Sequence, residues 1–120
     1  MMSSLSGVPE ISVQETARKL KDEEKFILLD VREAWELERA RLPGEQVVHA
    51  PMSQLARRGV SALPAEVEDK QQEIVVVCHH GQRSAEVTAW LLRSGWQQVR
   101  SMAGGVDAYA TQVDPSIGKY

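Results

Sequence analysis

Apolar and polar positions alternate in blocks along this chain, and the blocks fall into two periods. Residues 26–29, Phe-Ile-Leu-Leu, run unbroken into Asp30, and residues 74–77, Ile-Val-Val-Val, run unbroken into Cys78. Continuous β-branched or aliphatic runs of this length predict parallel strands covered on both faces. Residues 47–50 form a third such stretch, stopped by Pro51, and residues 98–102 a last short one. Residues 8–13 read as a short edge strand. Between these runs the spacing changes to the helical period. Ser12 precedes a predicted helix over 13–20, with Glu15 placed to complete a capping box. Residues 33–39 and 53–58 read as further short helices, and 63–67 as a turn or helix. A longer helix is predicted from about residue 85 to 93, with Val87, Trp90, Leu91 and Ser94 in its stripe and Gly95 as its stop. Gly104-Gly105 leads into a last helix containing Val106, Ala108 and Tyr109.

Strands alternating with helices predict an α/β domain whose mostly parallel central sheet is flanked by helices on both faces. With 120 residues, the chain can bury a full core as one domain, expected over 8–113, with 1–7 and 114–120 as loose ends. The net charge of -3 and the lack of any basic block argue against nucleic acid as an obligate partner. Trp35, Trp90 and Trp96 are expected in the core or a pocket wall, since they are not interleaved with basic residues. No apolar run is long enough for a membrane span, and Met1 to Gly7 lacks the charged and apolar regions of a leader, so no membrane association and a cytoplasmic location are expected. The single cysteine permits no internal disulfide and suits a reducing compartment.

That cysteine carries the candidate chemistry. Cys78 sits at the carboxyl end of a predicted strand, before a turn that closes on Arg83 and Ser84 and opens a helix. Amide groups of the turn, the helix N-terminus and the Arg83 charge would all favour an anionic, nucleophilic sulfur. Gly81 is expected to take positive φ to close the ring. His79, His80 and Gln82 are expected to contribute main-chain N–H groups, with partial protonation of the histidines helping an anion. Ser84 would either cap the helix or offer its hydroxyl to the sulfur. The Arg83 fork is expected in or behind the loop, holding carbonyls and stabilising the sulfur. No metal is expected, because successive histidines on a tight turn cannot easily converge three ligands. Only four residues separate Cys78 from Arg83, a ring that suits one sulfur atom better than the tetrahedral oxyanion of a phosphatase.

Cys78-His79-His80-Gly81-Gln82-Arg83-Ser84 resembles the active loop of the rhodanese family of sulfurtransferases. The resemblance extends from about residue 8 to 109. Asp30-Val31-Arg32 is similar to the family's strand-ending signature, the stretch from Leu42-Pro43-Gly44 to Pro51 to its second motif, and Gly104-Gly105 with Ala108-Tyr109 to its closing one. Ala40-Arg41-Leu42 departs from the usual Gly-His-Ile, and Tyr109 stands where Trp is usual. The resemblance implies a single rhodanese-like domain in which Cys78 and Arg83 are catalytic. His79, His80, Gly81, Gln82 and Ser84 would bind substrate, and Asp30 and Arg32 would support them. It implies a Cys78 persulfide, loaded by a small donor such as thiosulfate and discharged to cyanide in the assay or to a thiol or protein acceptor, without a cofactor. A persulfide carrier or redox-sensing module with weak small-donor turnover is the alternative.

Overall fold

A computed structural model describes residues 7–120. Five strands, β1 (Glu10–Ile11), β2 (Ile27–Asp30), β3 (Val47–His49), β4 (Glu73–Val77) and β5 (Gln98–Met102), form one sheet in the order β1-β5-β4-β2-β3. Every pairing is parallel, with Asp30 beside both His49 and Val77. Five helices accompany them: α1 (Val13–Lys21), α2 (Ala34–Leu37), α3 (Met52–Arg58), α4 (Gln82–Arg93) and α5 (Gly105–Gln112). Short 3-10 turns at Gly59–Ala62, Ala65–Val67 and Pro115–Ile117 complete the chain.

The period of two along β4 divides its side chains between two cores. Ile74, Val76 and Cys78 join Leu55, Val87, Leu91 and Trp96 on the face covered by α3 and α4. Val75 and Val77 join Val13, Met102, Val106 and Tyr109 on the face covered by α1 and α5. Both faces are therefore buried, which is why β2 and β4 need no polar alternation. Cys78 is in phase with Ile74 and Val76, so its side chain turns towards the body of α4.

Some expected boundaries differ. Ser12 Oγ accepts from the Glu15 amide, but the Glu15 carboxylate turns to Arg18, so only half of the capping box is present. α2 keeps one turn of the helix expected over 33–39. Trp96 is buried, and Trp90 lines a groove with Met52, Leu55 and Val87. Trp35, expected in the core or a pocket wall, is instead 58% exposed because its short helix turns Glu36 inward and leaves the indole on the rim. The expected loose start lies outside the described residues apart from Gly7. Residues 114–120 are docked against the body: the Ile117 carbonyl accepts from the Arg41 amide, and Val113, Ile117 and Tyr120 pack on the second core. Among the described residues no helix is long and apolar enough to cross a membrane.

Candidate active site

The chain leaves β2 towards β3 on one side of the sheet and β4 towards β5 on the other. The carboxyl ends of β2 and β4, where these directions diverge, mark the crevice position at which an open parallel sheet usually binds its ligand. The Cys78 loop follows β4 and forms one side of it. Arg32 and α2 follow β2 and form the other.

Helix α4 starts at Gln82, three residues earlier than its apolar stripe suggests, with Gly81 as the residue that begins it. Gly81 has φ 105° and ψ -10°, a left-handed conformation that a side chain would strain. The loop and the first helical turn therefore share residues. Cys78 Sγ accepts hydrogen bonds from the Gly81 amide at 3.1 Å and from the Ser84 amide at 3.2 Å. The amides of His79, His80, Gln82 and Arg83 have no protein acceptor among the described residues. Ser84 does not cap the helix. Its hydroxyl lies 3.4 Å from Cys78 Sγ, 3.1 Å from the Gly81 carbonyl and 2.7 Å from the Ser101 hydroxyl. Cys78 is 1% exposed, and its sulfur meets two amide donors and a hydroxyl as well as hydrocarbon.

The loop carbonyls are held by a different element from the one expected. The Val106 amide donates to the Cys78 carbonyl at 2.9 Å, and the Asp107 amide to the His79 carbonyl at 3.0 Å. Helix α5 thus spends its unpaired N-terminal donors on the cysteine loop. Gly105, with φ 64°, makes this approach possible, since a Cβ there would collide with the carbonyls of Cys78 and His79. Here the Gly104-Gly105 pair acquires a physical reason.

With the Cys78 and His79 carbonyls held by α5, Arg83 faces across the crevice. Its fork makes two 2.8 Å bonds to the Glu36 carboxylate instead of binding carbonyls, which corrects the sequence expectation. The planar guanidinium matches a carboxylate in this two-bond geometry. Glu36 is 3% exposed and also accepts from the Glu33 amide and the Tyr120 hydroxyl. The Arg83 fork, followed by the Glu33 and Tyr120 donors, holds the Glu36 carboxyl down to about 2 against the opposing effect of burial. Arg83 in turn is shifted upward, chiefly by Glu36. Its charge reaches the sulfur partly compensated by a carboxylate.

Asp30 and Arg32 form a fully buried pair at 2.8 Å below the same crevice. Arg32 also donates to the Glu36 carbonyl and the Tyr120 hydroxyl, so it ties the end of β2 to α2. Burial, with the charge of His80 second, pushes the His79 imidazole below its ordinary range, contrary to the expected help from its protonation. His80 is exposed, and its Nδ1 lies 4.0 Å from Asp107, which Lys119 also approaches at 3.9 Å. The ligand atoms of His79, His80 and Asp107 lie within 4.8 Å of one another, so α5 brings a carboxylate to the histidine pair that spacing alone did not place there. Glu36 and Tyr120 are the site residues that sequence reasoning missed. The Glu33 to Glu36 spacing of a helix start was the one available signal for Glu36.

A parallel α/β domain with a buried cysteine in an amide-lined loop at its switch point defines the class of fold. The rhodanese-like domain model matches residues 12–112, and the chain belongs to that family. It is 33% identical over 126 residues to the rhodanese-like/PpiC domain-containing protein 12, chloroplastic, of Arabidopsis thaliana, covering all of this chain and 40% of that protein. A sulfurtransferase of Allochromatium vinosum is 29% identical over 110 residues, covering 92% of this chain and 95% of the relative. The human single-domain sulfurtransferase TSTD1 superposes with a TM-score of 0.69 at 22% identity, covering 88% of this chain and 98% of that one, and shows the same fold. The chain thus spans nearly all of the Allochromatium and human proteins, but two fifths of the Arabidopsis one and between about a quarter and a half of several other curated relatives.

Proposed function

We propose that this domain is a sulfurtransferase that carries sulfane sulfur on Cys78. In the first half-reaction the Cys78 thiolate attacks the outer sulfur of a donor such as thiosulfate. The bond between that sulfur and the sulfonate sulfur breaks, sulfite leaves with the bonding pair, and an anionic persulfide remains. In the second, cyanide or a thiolate attacks the outer persulfide sulfur and the Cys78 thiolate is released. No electrons are needed from outside, and neither half requires a metal or organic cofactor. Two half-reactions through a covalent intermediate imply ping-pong kinetics.

The observation that carries this reading is the pair of main-chain N–H groups donated to Cys78 Sγ from Gly81 and Ser84, at the start of a 12-residue helix. Aligned donors of this kind stabilise negative charge without having to reorganise during the reaction. The amides of His79, His80, Gln82 and Arg83, without a protein acceptor among the described residues, are the donors we assign to the outer sulfur. Arg83, forked on Glu36, acts as a positioning residue that fixes the helix end of the loop. The likeness to proteins named sulfurtransferases, one of them 95% covered, supports the reaction type.

Intact mass spectrometry tests it. Incubation with thiosulfate and removal of the excess should leave a species heavier by one sulfur atom, which cyanide strips off. The chain has one cysteine, so no second thiol of its own can discharge the persulfide. Cys78→Ser should never gain the mass. An unchanged wild-type mass with several sulfane donors, or equal labelling of the serine variant, would end the proposal. Steady-state turnover with thiosulfate and cyanide separates an enzyme from a carrier that loads once.

A further inference from the structure

Tyr120 lies beyond the residues matched by the family model, yet it touches the site at three places. Its ring stacks flat on the His79 imidazole, with centroids 3.7 Å apart and planes 7° from parallel. Its main-chain oxygen lies 2.9 Å from His79 Nε2. Its hydroxyl donates to Glu36 at 2.9 Å and accepts from Arg32 at 3.1 Å. Trp35 closes the outer side with an edge-on contact at 6.2 Å. The segment that delivers it is itself tied down: Arg41 donates to the Ile117 carbonyl, and Gly118 crosses so close to Arg39 that a Cβ there would strike its carbonyl.

We propose that Tyr120 is a positioning residue for the Cys78 loop, acting on its near end through His79 and on its helix end through Glu36 and Arg83. It does not touch the sulfur. It links the two sides of the crevice, because Glu36 and Arg32 follow β2 whereas His79 follows β4. One side chain therefore couples the registry of α2 to that of the loop. The consequence for sulfur transfer rests on the persulfide reading above. The consequence for loop geometry does not.

Three proteins test this: the full chain, Tyr120→Phe and Tyr120→Ala. The phenylalanine variant keeps the ring on His79 but removes one donor from Glu36. Its Glu36 carboxyl, followed by carbon NMR, should titrate higher than in the parent, while the His79 midpoint stays where it was. The alanine variant also uncovers His79, and since burial is what depresses that imidazole, its midpoint should rise. Cys78 alkylation and persulfide loading should slow about threefold for Phe, which loses the hydroxyl's two bonds, and about tenfold or more for Ala, which loses the ring stacked on His79 as well. A residue that only adds stability would lower the unfolding midpoint and leave these rates and titrations unmoved. A folded alanine variant with parental rates and an unmoved His79 midpoint overturns the proposal. If the alanine variant does not fold, a phenylalanine variant with parental Glu36 titration and alkylation rate overturns it instead. Should the parent fail to take up sulfur, the persulfide reading falls, and the alkylation rates of the three proteins still decide the role of Tyr120.

Discussion

Arg83 and Glu36 meet fork to fork across 47 residues of chain, with one partner 34% exposed at its side chain and the other 3%. The pair joins the first turn of α4 to α2 and bridges the crevice in which Cys78 lies. Its worth to the domain is therefore structural.

Arg83→Ala is expected to destabilise the domain by about 3 kcal/mol, because it leaves a buried carboxylate without its main partner. The alanine variant of both residues should lose less than the sum of the two single losses, since neither charge is then stranded. Arg83→Lys should recover only part of the loss, as an ammonium cannot make two parallel bonds. Urea unfolding of the parent, the two single alanine variants, the double variant and Arg83→Lys measures each term.

The same pair predicts the acid response. Glu36 titrates at about 2 in the folded chain against an ordinary value of 4.5, so the folded state binds its proton less readily than the unfolded state. Its contribution to stability is fully present above 4.5 and disappears as pH falls from there through about 2. Glu36→Gln should abolish this part of the acid loss. The stability gap between parent and variant should narrow steadily between those two pH values, and a constant gap would contradict the assignment.

Gly105→Ala should be severe. It asks a side chain to occupy positive φ and to share space with the Cys78 and His79 carbonyls. A cost of about 3 kcal/mol or more is expected, with faster fraying of the cysteine loop than of the sheet. Hydrogen exchange at the Val106 and Asp107 amides, the donors to those carbonyls, would report it.

Thr88 offers a change in the opposite direction. Its hydroxyl is buried on α4 with no hydrogen-bond partner among the described residues. Thr88→Val keeps the shape and removes the unpaired group, so it should raise stability by about 1 kcal/mol. Thermal unfolding is a sufficient readout.

Much of this architecture is legible in the chain. The unbroken runs ending at Asp30 and Cys78 show strands covered on both faces, and the period of two places the sulfur on the α4 side. The short interval from Cys78 to Arg83 marks the loop. What stays hidden is what crosses the crevice. Nothing local says that Arg83 will meet Glu36, or that Tyr120 will fold back over His79, because each contact is set by where the sheet brings distant ends together. The early start of α4 is hidden for a different reason: its first turn buries a sulfur and not an apolar stripe, so the hydrophobic period begins only once that turn is complete. Trp35 misleads because a single helical turn has too few positions for a stripe, and the inward place goes to the carboxylate.

The bond from the Val106 amide to the Cys78 carbonyl has a consequence in time as well as in space. A chain growing from its N-terminus on the ribosome completes β4 and the cysteine turn well before α5 exists. Until residues 105–107 emerge and dock, the turn lacks the clamp on its carbonyls, and Arg83 has its glutamate but no finished frame. The surroundings of Cys78 are thus completed among the last parts of the domain, and a nascent or truncated chain would display the thiol without its finished frame.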